Sequence, residues 1–478
     1  MPLSIEDRVC FLERLAAIVG ERHLLVDAAD MAPYLTDWRD RYHGRALAVA
    51  RPETAEAVAK IVQTALEYRV PMVPQGGNTG LCGGATPDAE GHALVIQLGR
   101  LNRIRAIDPI NNTLIAEAGC TLAAVQSAAR EVEKLFPLSL ASEGSCQIGG
   151  NLATNAGGVH VLRYGTMRDL TLGLEAVLPN GEIWHGLTAL RKDNTGYDLR
   201  HLLIGAEGTL GIITAAALKL FPQPENRAVV WLGLPSPALA LALLERAQAA
   251  FDAQLTAFEL ICPLSSQLVQ THMPNAAKVS DAPWQVLCEF CDFSETDGER
   301  NLQQRLEAFW GAILDSEKIK PETIVIAQTE TQTRALWALR EHISEAQKRE
   351  GVSVKHDIAL PISRIPEFLT QIEAPLQAAF PGVRHTAFGH LGDGNLHFNL
   401  SYADRDLNAH LLAHAEEANR IVYDLVHQLG GSISAEHGIG QLKRRFLDDY
   451  KSSVALTAMR AIRQALDPLG LMNPGKGV

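Results

Sequence analysis

Hydrophobic and polar positions change period several times along this chain, and those changes outline its elements. RALAVARP reads as a strand, TAEAVAKIVQTALEYRV places apolar residues at the intervals of an amphipathic helix, and PMVPQ is a strand running into glycine. HALVIQL and NTLIAEAG continue as strands, GLEAVLPNGEIWHG predicts a hairpin turning at Asn180 and Gly181, and TLGIITAAALKLF adds a strand. The pattern shifts after PQPEN at 222–226. From Ala228 onward AVVWLGL, the helix SPALALALLERAQAAF, LTAFELI, QVLCEFC, a helix over 299–314 and TIVIAQ read as βαβ units with one helical layer. VKHDIALP, a helix near 363–380, the helix AHAEEANRIVYDLVHQL and the strand SISAEHG extend this part, and LTAMRAIRQALDPLGLMNPGKGV predicts a helix closed by Pro and Gly. No internal repeat interrupts the series.

Between those elements lies FGHLGDGNLHFNL, Phe388 to Leu400. Gly392, Asp393, Gly394 and Asn395 are turn residues, so a strand, tight turn and returning strand fit better than a helix. In the returning strand Leu396, Phe398 and Leu400 alternate with His397 and Asn399, which places the latter two on one face. His390, ending the incoming strand, can converge with them. Two imidazoles alone amount to a hairpin with partly exposed histidines; a metal needs a third ligand.

With 478 residues and 47% hydrophobic content, the chain is long enough for two or three domains with substantial cores. It carries 43 Lys and Arg against 55 Asp and Glu, a net charge of -12, which repels nucleic acid. A small anion then needs a local gathering of cations. No run is apolar enough for integral membrane association, and MPLSIEDRVCFLERL interleaves charges where a signal peptide needs an apolar stretch, so a cytoplasmic location is expected. Seven cysteines suit a reducing compartment. The pair Cys288 and Cys291 reads as thiols of a buried strand.

Two segments concentrate glycine beyond the needs of a turn: PQGGNTGLCGG, Pro74 to Gly84, and GSCQIGGNLATNAGG, Gly144 to Gly158. Glycine lets successive N–H groups curl around an anion and lets backbone approach a flat ring. Neither segment has the GxGxxG spacing of a nicotinamide site, and the first lacks the Lys and Ser/Thr of a P-loop. PQGGNTGLCGG, IGGNLATNAGG, DNTGYDL and GAEGTLGIIT together resemble the FAD-binding domain of the vanillyl-alcohol oxidase / p-cresol methylhydroxylase superfamily. GHLGDGNLHFN, SAEHGIG and the terminal NPGK resemble its FAD-linked 2-hydroxy-acid dehydrogenase branch, and PQGGNTG is most similar to the D-2-hydroxyglutarate dehydrogenases within it.

That resemblance implies an α+β fold: a helical segment at 1–45, a two-subdomain FAD-binding domain at 46–225, an α+β substrate and metal domain with an antiparallel sheet at 226–425, and a C-terminal segment at 426–478 returning to the flavin. It implies that Gly76, Gly77, Asn78, Thr79, Gly80 and Gly83 hold the FAD pyrophosphate, with Pro74 also among the cofactor-binding residues. Ser142, Gly144, Gly149, Gly150, Asn151, Ala153 and Asn155 would line the flavin, Gly208 and Ile213 the adenine side, and Asn473 would meet the isoalloxazine. The first loop has no His for a covalent flavin, so FAD binding should be noncovalent.

SAEHGIG supplies the third ligand. Glu436 offers an anionic oxygen, and His390, His397 and Glu436 match the divalent-metal ligands of the resembled dehydrogenases, with Zn²⁺ the expected ion. By the same resemblance His437 is the base, Asn399 orients substrate, and Arg340, Ser344 and Lys355 hold the far carboxylate of a dicarboxylate. Ser344 stands where relatives have Thr. The implied reaction is oxidation of D-2-hydroxyglutarate to 2-oxoglutarate, with hydride passing from C2 to flavin N5; D-lactate, glycolate or D-malate are the close alternatives. With no haem CxxCH or Fe–S cysteine run present, electrons would pass to an external acceptor such as an electron-transfer flavoprotein or quinone. A homodimer is expected from the family. A metal-dependent hydrolase using His390, His397, Glu436 and His437 is a reading of another class, as is a flavin-binding module without catalysis. The purified protein is expected to be yellow; a colourless preparation would favour the hydrolase.

Overall fold

The computed structural model describes residues 3–274, 276–293, 302–317 and 319–478. The chain folds into two compact units, one of 1–158, 165–223 and 436–478, the other of 159–164 and 224–435. No helix among the described residues is long and apolar enough to cross a membrane.

The first unit holds three sheets among the described residues, the smallest a two-stranded pairing of Phe221–Pro222 with Lys134–Leu135 beside one of four strands and one of five. In the four-stranded sheet, Ala48–Ala50, Leu94–Gln97 and Met72–Gln75 run parallel, with Leu24–Leu25 antiparallel at the edge. Helix Ala55–Glu67 connects two of these strands, starts where the Thr54 hydroxyl accepts the Ala57 N–H, and buries Val58, Ile61, Val62 and Ala65. The five-stranded sheet is antiparallel: Ile104–Asp108, Thr113–Glu117, Ile212–Lys219, Thr171–Val177 and Ile183–Gly186. The hairpin expected at Asn180 and Gly181 is present, with Gly181 at φ 82°. The C-terminal segment belongs to this unit. Met72 pairs with Met472, and the Asn473 N–H donates to the Met72 carbonyl.

The second unit is one seven-stranded antiparallel sheet, ordered Ile324–Ile326, Asn226–Leu234, Trp284–Asp292, Leu255–Ile261, Arg384–His390, Asn395–Ser401, Val354–Ala359. Its central strands read as continuous apolar runs because helices cover both faces, and the single helical layer expected from sequence is corrected accordingly. Helices Pro263–His272, Glu330–Glu341 and Ile343–Glu350 share a core with Trp231, Ile261, Leu287 and Phe388. On the opposite face Phe251 of helix Pro237–Phe251 meets Phe290 at 4.8 Å, and Tyr423 of helix Ala415–Gln428 meets His356 at 5.6 Å. Cys288 and Cys291 are buried thiols of the Trp284–Asp292 strand, and burial pushes Cys291 up to about 12.

Three further expectations differ. The helix over 299–314 appears as Leu302–Glu317, with 299–301 outside the described residues. The helix near 363–380 is two, Ile365–Gln371 and Glu373–Ala379, consistent with the break that Pro375 imposes. SISAEHG is not a strand: only Ser432 bridges, to Ala359, and the chain then bends toward Gly438 and Gly440, both at positive φ.

Two glutamates interrupt the apolar face beneath helix Glu330–Glu341. Glu289 is buried; it accepts from Arg227, from Trp337 Nε1 at 2.9 Å and from the Thr256 hydroxyl at 3.0 Å, and its Oε1 is 3.0 Å from His160 Nε2. Burial raises its pKa, but His160 and Arg227 outweigh that and hold it at about 2, below the ordinary 4.5. A depressed carboxylate stabilises the fold above its unfolded pKa and loses that contribution as pH falls toward the folded value. Glu289→Ala is therefore expected to lower stability at pH 7 by about 1–3 kcal/mol, because the buried Trp337 Nε1 and Thr256 hydroxyl lose their acceptor while the partly exposed Arg227 can turn to solvent. Thermal melts at stepped pH should show wild type losing stability more steeply than the variant as pH drops below about 4.5.

Candidate functional site

Antiparallel register decides which side chains of the second unit share a face. Phe388 lies opposite His397, which lies opposite Asp357; Thr386 lies opposite Asn399, which lies opposite Lys355; and Glu259 lies opposite His390. Because cross-strand partners and alternate residues point the same way, one face carries Glu259, His390, His397, Asn399, Lys355 and Asp357. The opposite face takes Leu396, Phe398 and Leu400 into the core. The alternation expected in FGHLGDGNLHFNL is realised, with Asp393 Oδ1 accepting the Asn395 N–H to shape the turn.

The two imidazoles have ring centroids 5.8 Å apart. His390 Nδ1 lies 2.5 Å from Glu259 Oε1, and His397 Nδ1 lies 3.8 Å from Asp357 Oδ1. A carboxylate beside one ring nitrogen is the usual support of an imidazole that binds a metal through the other, so this pair fits a divalent cation. Burial raises the Glu259 pKa, but Arg340 and His390 outweigh it and hold the carboxyl at about 2.

Arg340 is not on a solvated helix face. Helix Glu330–Glu341, capped by the Thr329 hydroxyl on Gln332 N–H, buries Thr333, Leu336, Trp337 and Arg340 along one stripe. Arg340 Nε donates to Glu259 Oε2 at 2.5 Å, its Cζ lies 5.0 Å from the centre of the Phe388 ring, and neither Nη has a hydrogen-bond partner among the described residues. Asn399 Nδ2 donates to Gln347 Oε1 at 2.9 Å. Lys355 is half-buried, and Ser344 is exposed on helix Ile343–Glu350. Glu259, Asp357 and Gln347 are the members that sequence reasoning missed. The only signal for Glu259 was a carboxylate within the apolar run LTAFELI.

Glu436 and His437 belong to the first unit. Glu436 Oε1 accepts the Gly158 N–H at 2.6 Å. The chain after His437 is pinned by Glu207, whose two oxygens accept the Ile439 and Gly440 N–H groups at 2.8 and 2.7 Å. Gln441 Nε2 donates to the Gly83 and Thr86 carbonyls, so the SAEHGIG segment lies along the first glycine loop. Burial raises the Glu207 pKa, and the two backbone donors oppose it.

The glycine loops of this unit meet each other. A Cβ on Gly77 would collide with the Ser145 carbonyl, and one on Gly208 would touch Pro74 at 3.1 Å, whereas Gly80, Gly144 and Gly150 face open space. Gly76 lies near Gly150, Gly149 donates to the Ala118 carbonyl, and Ile213 is buried in its strand. Asn78, Asn155 and Asn473 adopt positive φ of 53°, 52° and 44°, which Asn tolerates better than most residues. Local contacts hold them: Asn78 Nδ2 donates to the Thr36 carbonyl and Asn155 Oδ1 accepts the Arg168 N–H. Asn473 Nδ2 donates to the Gly84 and Glu207 carbonyls, leaving a buried Oδ1 with no donor among the described residues. A cradle of bare backbone beside an unfilled acceptor fits a flavin with its ring N–H.

Comparison with known proteins agrees with that fit. The family described as FAD binding domain matches residues 46–186, and that described as FAD linked oxidases, C-terminal domain, matches residues 223–477. The chain is 37% identical to the mitochondrial D-2-hydroxyglutarate dehydrogenase of Bos taurus, covering 100% of this chain and 84% of that one. It is 39% identical to D-2-hydroxyglutarate dehydrogenase of Xanthomonas citri pv. viticola, covering 97% and 95%. The structure of p-cresol methylhydroxylase with substrate bound superimposes with a TM-score of 0.73 at 16% identity, over 100% of this chain and 98% of that one, a likeness of fold.

Gly150→Ala tests the cradle. Gly150 sits in helix Ile148–Ala153, where Ala gains up to about 1 kcal/mol of helix stability. The added methyl should nevertheless weaken FAD binding about tenfold, equivalent to ~1.4 kcal/mol, read as flavin fluorescence on titration. Unchanged FAD affinity would remove Gly150 from the cofactor's lining.

Proposed function

The chain belongs to the FAD-linked oxidases and is an FAD-dependent 2-hydroxy-acid dehydrogenase, and from that premise we propose that it oxidises D-2-hydroxyglutarate to 2-oxoglutarate using a divalent metal. The observation that carries the choice of a dicarboxylate is Arg340: a buried guanidinium whose Nε is occupied by Glu259 while both Nη groups lack partners among the described residues. Such a fork can hold a carboxylate through two parallel hydrogen bonds, which a monocarboxylate bound at its reacting end does not need. The similarity to two D-2-hydroxyglutarate dehydrogenases supports the same substrate.

The side chains divide the work as follows. Arg340 binds the far carboxylate, Lys355 adds a point charge, and Ser344, four residues after Arg340, offers a hydroxyl. These cations offset the repulsion that a net charge of -12 exerts on a dianion. His390, His397 and Glu436 would hold the metal, and Asn399, held by Gln347, would orient the substrate at C2. His437 would take the hydroxyl proton. When bound, FAD supplies the two-electron acceptor and the divalent cation, Zn²⁺ in this reading, supplies a Lewis acid that lowers the hydroxyl pKa. Electrons would leave to a separate flavoprotein or quinone.

Anaerobic addition of D-2-hydroxyglutarate is expected to bleach the flavin rapidly, with chelation abolishing the response and a divalent cation restoring it. Bleaching by D-lactate or D-malate alone would keep the reaction class and move the substrate. Arg340→Met should lower kcat/KM for D-2-hydroxyglutarate on the order of 10–150-fold, about 1.5–3 kcal/mol for a charged hydrogen bond, and leave D-lactate turnover less affected. Equal losses for both substrates would argue against Arg340 as the far-carboxylate clamp.

A further inference from the structure

The Glu259 side chain has no exposure to solvent and touches two groups to which the proposed mechanism gives different tasks. Its Oε2 accepts from Arg340 Nε and its Oε1 lies against His390 Nδ1, both at 2.5 Å. We infer that Glu259 is a positioning residue that makes one mechanical unit of the metal ligand His390 and the substrate clamp Arg340, so that metal retention and dicarboxylate selectivity change together when it is altered. The inference rests on the roles proposed for His390 and Arg340.

The chemistry of a carboxylate sets the first half. An ionised carboxylate only accepts hydrogen bonds, so His390 must carry its proton on Nδ1 and direct the Nε2 lone pair toward a metal. The shape of a guanidinium sets the second half. Once Nε is held by Glu259 and the plane lies by the Phe388 ring, the directions of the two Nη groups are fixed, and the fork meets a carboxylate with little left to order. Burial joins the halves. Turning Glu259 away from either partner would leave a charge uncompensated inside the sheet, which is strongly unfavourable. Phe388 adds to the coupling, since it precedes His390 by two residues and lies opposite His397.

The test measures zinc dissociation constants by competition with a chromophoric chelator for wild type, Glu259→Gln, Arg340→Met and the double variant. Gln keeps the shape of Glu259 but turns an amide N–H₂ toward one of the two donors, so either His390 changes tautomer or Arg340 loses its acceptor. Glu259→Gln should loosen zinc about 10–100-fold, while Arg340→Met alone should stay within about threefold of wild type. If Glu259→Gln fails to fold because Arg340 is stranded, the double variant removes that cation, and it should still bind zinc about 10–100-fold more weakly than Arg340→Met. Where Glu259→Gln folds, its preference for D-2-hydroxyglutarate over D-lactate should fall toward that of Arg340→Met.

Equal zinc affinity in the double variant and Arg340→Met would overturn the inference while leaving the metal site standing. No zinc affinity in wild type would overturn the metal reading and the inference with it. Zinc binding in a wild type that prefers D-lactate, with Arg340→Met indifferent, would defeat the dicarboxylate reading and the coupling. The zinc comparison would then measure Glu259's effect on His390 alone.

Discussion

Two buried carboxylates govern how the second unit is assembled. Glu259 and Glu289 are buried where the sheet meets the apolar core beneath helix Glu330–Glu341, and an unpaired charge there would cost several kcal/mol. Each is satisfied by the same helix: Arg340 reaches Glu259 and Trp337 reaches Glu289. The helix therefore docks at two polar points as well as through Leu336 and Leu339, and hydrophobic contact alone, being non-directional, would not fix its position so closely. His390 and His160 complete the two clusters. The same pairing that makes the charges tolerable also sets the orientation of the candidate site.

Register carries the rest. A slip of one residue between Asn395–Ser401 and Val354–Ala359 would bring His397 and Asn399 to the core and turn Leu396, Phe398 and Leu400 outward. That register is held by Asn395, whose Nδ2 donates to Asp357 Oδ1 and to the Ile358 carbonyl, and by the Gly394 carbonyl, which accepts the Leu360 N–H. Gly394 is required there, at φ 87° and against the Leu360 carbonyl. In the first unit close approach plays the corresponding part. Gly77 packs on the backbone of the second loop, and Gly440 on the backbone of Cys82, so both loops and the segment after His437 share one scaffold.

Much of this was legible in the sequence, where a local period or a turn residue carries the information. The alternation around His397 gave both faces of the hairpin, and Asn180 with Gly181 gave a turn at the right place. The apolar run around Cys288 gave a buried strand. What stayed hidden depends on partners distant in sequence. Arg340 reads as an exposed cation until Glu259, far back in the chain, is seen to accept it. SISAEHG has the composition of a strand, yet Gly438 and Gly440 take positive φ to reach Glu207 and Cys82. Asn78 and Asn155 looked chosen for a ligand, and their left-handed backbone and local hydrogen bonds account for the residue type as well.

The chain leaves the first unit at residue 223 and returns only at 436, and its last residues supply the Met472 pairing with Met72 and the two bonds from Asn473 to Gly84 and Glu207. On a ribosome adding ~5–20 residues per second, everything from 224 to 435 is made while the first unit still lacks its 436–478 segment, a delay on the order of ten to forty seconds. The interrupted unit must wait in a partly built state, with Met72 lacking its partner Met472, while the inserted one can close on contacts already synthesised. Completion of the first unit is thus tied to synthesis of 436–478, and a nascent chain stalled before that segment would carry every strand of the second unit and an unfinished first one.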